Sequence, residues 1–289
     1  MSARRAVLTA GAVGALGAVA GAVALSTGGE HDDRAGRRAP AVAPAPGRPA
    51  RVDRLVVGRG ARAAVVLRRR GARAGDPVVV FLHGWTAVSP AAYRPWLEHL
   101  AAGGSTVVYP IYQEVPFVDV RTPLHNVRSG VRAALRRIGR HGPVIAAGHS
   151  AGGALAADLA ASARAAGLPV PRAVYAVYPG RSLRGFPLRL TGPRLARIPA
   201  GVRIVALASP TDRVVGTATA RGIVRGARRV PAGRRTLRII RSRAVGDHLG
   251  PQRDGARERR TFWRPLDGLV RWAQTAASGS RPSQVPVAP

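Results

Sequence analysis

The stretch Pro143-Val144-Ile145-Ala146-Ala147-Gly148-His149-Ser150-Ala151-Gly152-Gly153-Ala154-Leu155 carries three signals in succession. A short apolar run reads as a buried strand, and the small-residue run that follows reads as a helix. Between them, Gly-x-Ser-x-Gly leaves no room for a loop. A strand that turns directly into a helix forces its pivot, Ser150, into a strained backbone conformation. Side chains at Gly148 and Gly152 would collide with neighbouring backbone. The turn lifts the Ser150 hydroxyl above the sheet edge. It also leaves the Ala151 amide at a helix N-terminus, where it can donate to an oxyanion.

Working outward, the same grammar repeats. Leu55–Val57 and Ala63–Leu67, separated by Gly58-Arg59-Gly60, read as a hairpin at a sheet edge. Val78–Leu82 is a continuous apolar run, the mark of a strand covered on both faces. A helix is expected from Pro90 to Ala102, with Ser89 as N-cap and Pro95 kinking it or delaying its start. Further strands are expected at Ser105–Tyr109, Arg172–Tyr178, Val202–Ala208 and Thr236–Ile240. Helices are expected at Leu124–Arg140, Ala151–Gly167, Ala218–Arg228 and Arg257–Ala276. Strands alternating with helices predict an α/β fold: a doubly wound, mostly parallel sheet with helices on both faces. About twenty residues between Tyr178 and Val202 leave space for a short cap.

In such a sheet the reacting groups gather at the carboxyl ends of strands. Two residues satisfy that condition as partners for Ser150. Asp212 follows the Val202–Ala208 strand, and His248 lies in the loop after the last strand. A serine hydroxyl needs an imidazole to take its proton and return it to the leaving group, and a carboxylate to hold that imidazole. Asp119 is a second candidate for the acid. Asp247 is set aside because adjacent loop side chains rarely meet in the needed geometry. Asp158 reads as a surface charge, His99 and His141 as surface residues, and His125 as a polar residue near a helix start. After the Val78–Leu82 strand, His83-Gly84 lets the backbone pass close to the serine, freeing the Trp85 amide as a second oxyanion donor beside Ala151. His83, Tyr112, His149 and Tyr178 are expected around the substrate pocket, with Phe186 as a further lining residue. Arg181 is a candidate to meet an acidic substrate group.

His83-Gly84, Gly148–Gly152, Ser209-Pro210-Thr211-Asp212 and Gly246-Asp247-His248 together resemble the α/β-hydrolase superfamily over roughly Arg51 to Ala276. The order Ser, Asp, His is the order of that fold. Within it the chain resembles the secreted bacterial esterase/lipase and dienelactone-hydrolase-like branch, with Ser where dienelactone hydrolases carry Cys. The resemblance implies carboxylic ester hydrolysis, with a small-molecule or lipid ester as substrate, and neither metal nor organic cofactor.

Composition bounds the rest. The chain has 289 residues and no cysteine, which excludes disulfides, a Cys nucleophile and Cys-based zinc sites. All 46 basic residues are Arg, against 14 acidic ones, for a net charge of +32. Arg is spread along the whole chain, and Ala, Gly, Pro and Val are raised with it, which favours coding bias over a specific nucleic-acid site. Non-specific attraction to anionic envelope surfaces follows from the charge itself. Residues 1–25 combine Arg4-Arg5, an uncharged Ala6–Leu25 run and a small-x-small site at Ala22-Val23-Ala24. They are expected to be an export signal, with an uncleaved anchor as the competing reading. Residues 26–50 are expected to be a disordered linker, 51–276 the hydrolase domain and 277–289 a flexible tail. Two other functions stay open: an acyltransferase using the same three residues, and a non-catalytic polyanion- or envelope-binding protein on a hydrolase scaffold.

Overall fold

Alternation decides which face of the central strand meets which helices. In the computed structural model, which describes residues 51–114, 122–182 and 190–277, the strand β3 (Val78–Leu82) is buried at every position. Its Val78, Val80 and Leu82 point to one face and Val79 and Phe81 to the other. The first face packs on α2 (Pro123–Ile138), α3 (Ala151–Ser162) and α4 (Ala218–Gly226) through Val127, Val131, Leu155, Leu159 and Ile223. The second packs on α1 (Arg94–Ala102) and on a long C-terminal helical run, through Trp96, Leu97, Leu100, Phe262, Leu266 and Trp272.

The remaining strands are β1 (Val52–Val57), β2 (Ala64–Arg69), β4 (Thr106–Pro110), β5 (Val144–His149), β6 (Ala173–Val177), β7 (Arg203–Ala208) and β8 (Arg235–Ile239). They form one eight-stranded sheet in the order β1-β2-β4-β3-β5-β6-β7-β8. The β1–β2 and β2–β4 pairings are antiparallel and all others parallel. Register places Leu82 beside Gly148, and His149 beside Val177. The carboxyl ends of β3, β5 and β6 therefore finish side by side.

Boundaries differ from expectation where the backbone intervenes. The hairpin strands run longer than their apolar cores, because ladder pairing continues from Val52 to Arg69 across polar residues. Pro90–Tyr93 forms a 3₁₀ turn, with the Ser89 hydroxyl accepting from the Ala91 amide, and the α-helix starts at Arg94. The helix after β5 ends at Ser162, and a 3₁₀ turn closes at Gly167 in left-handed conformation. The C-terminal run splits into α5 (Ala256–Glu258), a π-helical turn at Arg259–Trp263 and α6 (Arg264–Ala277). Pro265 lacks the N–H that would bond one turn back, which accounts for the widened turn before it. Of the expected cap, the described residues hold a 3₁₀ turn at Leu195–Arg197. Phe186 and Asp119 lie outside the described residues, as do the expected export signal, the linker and residues 278–289 of the tail. No helix among the described residues is long and apolar enough to cross a membrane.

The helix α3 is buried along its whole length. It lies tight against the sheet because its residues are small. A Cβ on Gly152 would stand 2.0 Å from the Leu82 carbonyl oxygen, and one on Gly148 2.4 Å from the Gly152 carbonyl oxygen. Both obstacles are main chain and cannot rotate away. Gly152→Ala is expected to lower unfolding stability by about 3 kcal/mol or more, read as the denaturant midpoint. An unchanged midpoint would contradict this packing.

Candidate active site

The pivot after β5 has the geometry that its sequence requires. Ser150 sits at φ 56°, ψ −125°, a left-sided conformation costly to any residue with a Cβ. It is held there by its own amide donating to the Val177 carbonyl at 3.0 Å and by its carbonyl accepting from Gly180 at 3.0 Å. The Ser150 hydroxyl lies 2.9 Å from His248 Nε2, and His248 Nδ1 lies 2.8 Å from Asp212 Oδ2. Three side chains, with Ser150 and His248 98 positions apart in sequence, thus form one hydrogen-bonded line.

Each member is fixed from behind. The other Asp212 oxygen, Oδ1, accepts from the Val214 and Val215 amides at 2.9 and 3.2 Å, which aims Oδ2 at the imidazole. The Asp212 and His248 loops touch where Gly246 meets the Ser209–Thr211 turn: a Cβ there would lie 2.3 Å from Thr211 Oγ1. The Tyr178 hydroxyl donates to the Val245 carbonyl at 2.9 Å and supports the His248 loop from below. Asp247 turns away to a bidentate contact with Arg253, which holds its carboxyl below the usual range.

Ser150 opens into a cleft that also includes Trp85, Ala151, Arg181, Leu190 and Val215. Trp85 and Ala151, the residues expected to supply oxyanion donors, thus line the same cleft as the serine. Neighbouring amides are already engaged: Gly84 donates to the Tyr93 hydroxyl at 2.9 Å and Thr86 to Gln113 Oε1 at 2.9 Å. Thr86 itself is at φ 68°, so the loop after β3 is strained next to the serine. Among the described residues, no group of three His, Asp or Glu side chains converges in a metal-binding arrangement.

Four residues expected around the pocket lie beneath it instead. His83, Tyr112, His149 and Tyr178 are almost wholly buried, and none of them is in the cleft wall among the described residues. His83 donates from Nδ1 to the Gly84 carbonyl at 2.6 Å and stacks on Tyr112 at 4.0 Å; the Tyr112 hydroxyl donates to the His83 carbonyl at 2.5 Å. Both therefore brace the loop that presents Trp85. Their polar tips turn inward because that loop's carbonyls need donors.

Asp158 also corrects expectation. It is fully buried and bound by both terminal nitrogens of Arg181, at 2.8 and 2.5 Å. Arg181 is thereby committed within the protein, and removing it would strand a buried carboxylate at a cost of about 3–5 kcal/mol. His99 pairs with Asp267 at 2.9 Å, a contact between α1 and α6. Two supporting residues were not singled out from sequence. Tyr93 and Gln113 hold the Trp85 loop through its amides, and no spacing rule links them to it.

A sheet of this order, with a strained serine after β5, an acid after β7 and a histidine after β8, is an α/β-hydrolase arrangement. The family model described as alpha/beta hydrolase fold matches residues 79–196. Esterase B from Lactobacillus rhamnosis is 17% identical, with a TM-score of 0.59 over 81% of this chain and 90% of that one. Fungal esterase from Rhizomucor miehei is 16% identical, with a TM-score of 0.57 over 79% and 86%. An esterase from the bacterial hormone-sensitive lipase family is 18% identical, with a TM-score of 0.53 over 78% and 85%. No curated protein sequence matches the chain. The chain has the α/β-hydrolase fold.

Burial shapes the acid response of this region. It pushes the His83 imidazole down to about 4 from the ordinary 6.5, opposed in part by the bond to Gly84. Above pH 6.5 the ring is neutral in folded and unfolded chains, so its full contribution is present. As pH falls from 6.5 towards 4, the unfolded chain alone takes up the proton, and about 3 kcal/mol is lost. His149, also lowered by burial, acts with the same sign. Denaturant midpoints at pH 7 and pH 4.5 are expected to differ less in His83→Asn than in the unaltered protein. Equal differences would show that His83 does not carry the effect.

Proposed function

We propose that the chain is a serine hydrolase that cleaves carboxylic esters through an acyl-enzyme on Ser150. The observation that carries this reading is the line Ser150 Oγ–His248 Nε2–Asp212 Oδ2, with bonds of 2.9 and 2.8 Å, opening into a cleft. His248 takes the hydroxyl proton as Ser150 attacks the ester carbonyl. Asp212 holds the imidazole tautomer and stabilises the imidazolium. The carbonyl oxygen becomes an oxyanion and is received by the Trp85 and Ala151 amides. His248 then returns the proton to the leaving alcohol, and a water repeats the sequence to release the acid. Leu190, Val215 and the Trp85 side offer apolar surface for the acyl or alcohol part.

The esterases named above, similar in fold, support the ester-cleaving reading. Export to the cell envelope, directed by residues 1–25, belongs to the same proposal, as does attraction of the Arg-rich surface to anionic envelope components.

A fluorophosphonate probe is expected to label Ser150, and Ser150→Ala is expected to abolish both labelling and p-nitrophenyl acetate hydrolysis. Asp212→Asn is expected to lower kcat by about a thousandfold or more while the protein stays folded. Undiminished hydrolysis in the Ser150→Ala protein would overturn the proposal.

A further inference from the structure

Two buried hydrogen bonds lead from the His149 imidazole towards opposite halves of the reaction centre. Nε2 lies 2.8 Å from the His248 carbonyl oxygen, and Nδ1 lies 2.8 Å from the Tyr93 hydroxyl. Chemistry fixes the protons. A carbonyl oxygen only accepts, so Nε2 carries the hydrogen. Burial, reinforced by the His248 ring at 4.8 Å between centroids, holds the His149 imidazole well below its ordinary pKa. The ring is therefore neutral, and Nδ1 is an acceptor. The Tyr93 hydroxyl donates to it; burial raises that hydroxyl to about 12, so it keeps its proton. Its oxygen in turn accepts from the Gly84 amide at 2.9 Å.

The bonds run in one direction: Gly84 N–H to Tyr93, Tyr93 O–H to His149 Nδ1, and His149 Nε2–H to the His248 carbonyl. Gly84 immediately precedes the Trp85 amide that receives the oxyanion, and His248 is the general base. Contact at the centre is close. A Cβ on Gly84 would lie 3.1 Å from the Tyr93 oxygen, 3.3 Å from His149 Nδ1 and 3.5 Å from Ser150 Cβ.

We propose that His149 and Tyr93 are positioning residues, forming a relay that sets the distance between the oxyanion loop and the general base. The inference rests on the serine-hydrolase reading above. Neither side chain lies in the cleft wall among the described residues; each acts through the backbone of a group that does the chemistry. The relay crosses from the end of β3 to the loop after β8, two segments that the sheet does not pair directly. An apolar side chain in place of His149 would leave the Tyr93 hydroxyl and the His248 carbonyl without their buried partner. Misplacement of reacting groups by about 1 Å costs on the order of a hundredfold in rate.

The test uses the full chain and five proteins: unaltered, His149→Gln, His149→Leu, Tyr93→Phe and Tyr93→Phe/His149→Leu. Each is assayed for ester hydrolysis, rate of fluorophosphonate labelling and circular dichroism. His149→Leu and Tyr93→Phe are expected to lower kcat and the labelling rate about 10- to 100-fold, with KM within about twofold. His149→Gln, whose amide offers both a donor and an acceptor, is expected to stay within about fivefold of the unaltered protein. The double variant is expected to be no slower than His149→Leu by more than about threefold, since both changes cut one chain. Undiminished kcat in Tyr93→Phe, equal damage from Gln and Leu, multiplicative losses, or losses confined to KM would each overturn the relay. Where His149→Leu fails to fold, Tyr93→Phe and His149→Gln decide. An unaltered protein that does not label removes the serine-hydrolase reading and the relay with it; labelling with unaffected variants removes the relay alone.

Discussion

The structure depends on one close approach of main chain to main chain. The first turn of α3 presses against the end of β3, with Gly152 where any side chain would strike the Leu82 and His83 carbonyls. That contact fixes where the helix begins. Given where it begins, Ser150 must span the gap from strand to helix in a conformation at φ 56°. Strain of about 1–3 kcal/mol at one residue persists because the surroundings over-determine it. Here the surroundings are the Val177 carbonyl, the Gly180 amide and twelve buried helical residues behind. The serine's exposure to the cleft is thus a result of packing and needs no flexible loop.

Around that pivot most polar groups meet partners, with His83 Nε2 and Gln113 Nε2 the buried exceptions there among the described residues. Asp212 meets two amides and an imidazole; Tyr178 meets the Val245 carbonyl; Tyr112 meets the His83 carbonyl. Burial keeps His83 neutral near neutral pH and His149 likewise, so His248 is not flanked by an imidazolium. On the serine-hydrolase reading proposed above, this matters for a base that must become positive during the reaction. A charged neighbour at 4.8 Å between ring centroids would oppose that step.

Legibility in the sequence followed the strength of local rules. The three residues of the hydrogen-bonded line were readable because each follows an apolar strand, and strand ends in a parallel sheet share one rim. The paired glycines were readable because a turn without loop residues leaves no alternative. The pocket aromatics were not. Residue type told that Tyr112 and Tyr178 were large and amphipathic, but not which way each would point. Tyr178 sits at φ 44°, so its side chain leaves the strand alternation and runs under the His248 loop. Asp158 was misplaced for a related reason. A helix made of Ala, Gly and Leu has no polar face to mark solvent, so a single acid on it looks exposed. Its partner Arg181 lies 23 residues on, after β6, where no helical spacing could announce it.

Charge distribution separates what shapes the site from what covers the surface. With 46 arginines against 14 acids, carboxylates are the scarce partner, and their placement carries the information. Asp212 is spent on His248, and Asp158 on the arginine at the cleft. Asp247 and Glu258 both engage Arg253, which also donates to the Ala244 carbonyl. Arg253 therefore clamps the two ends of the loop that carries His248, and it does so at the rim, where a loose loop would cost the imidazole its aim. With arginine in such excess, a carboxylate finds a cation more readily than a guanidinium finds a carboxylate. The arginines left over set the field around the protein; the few acids set its geometry.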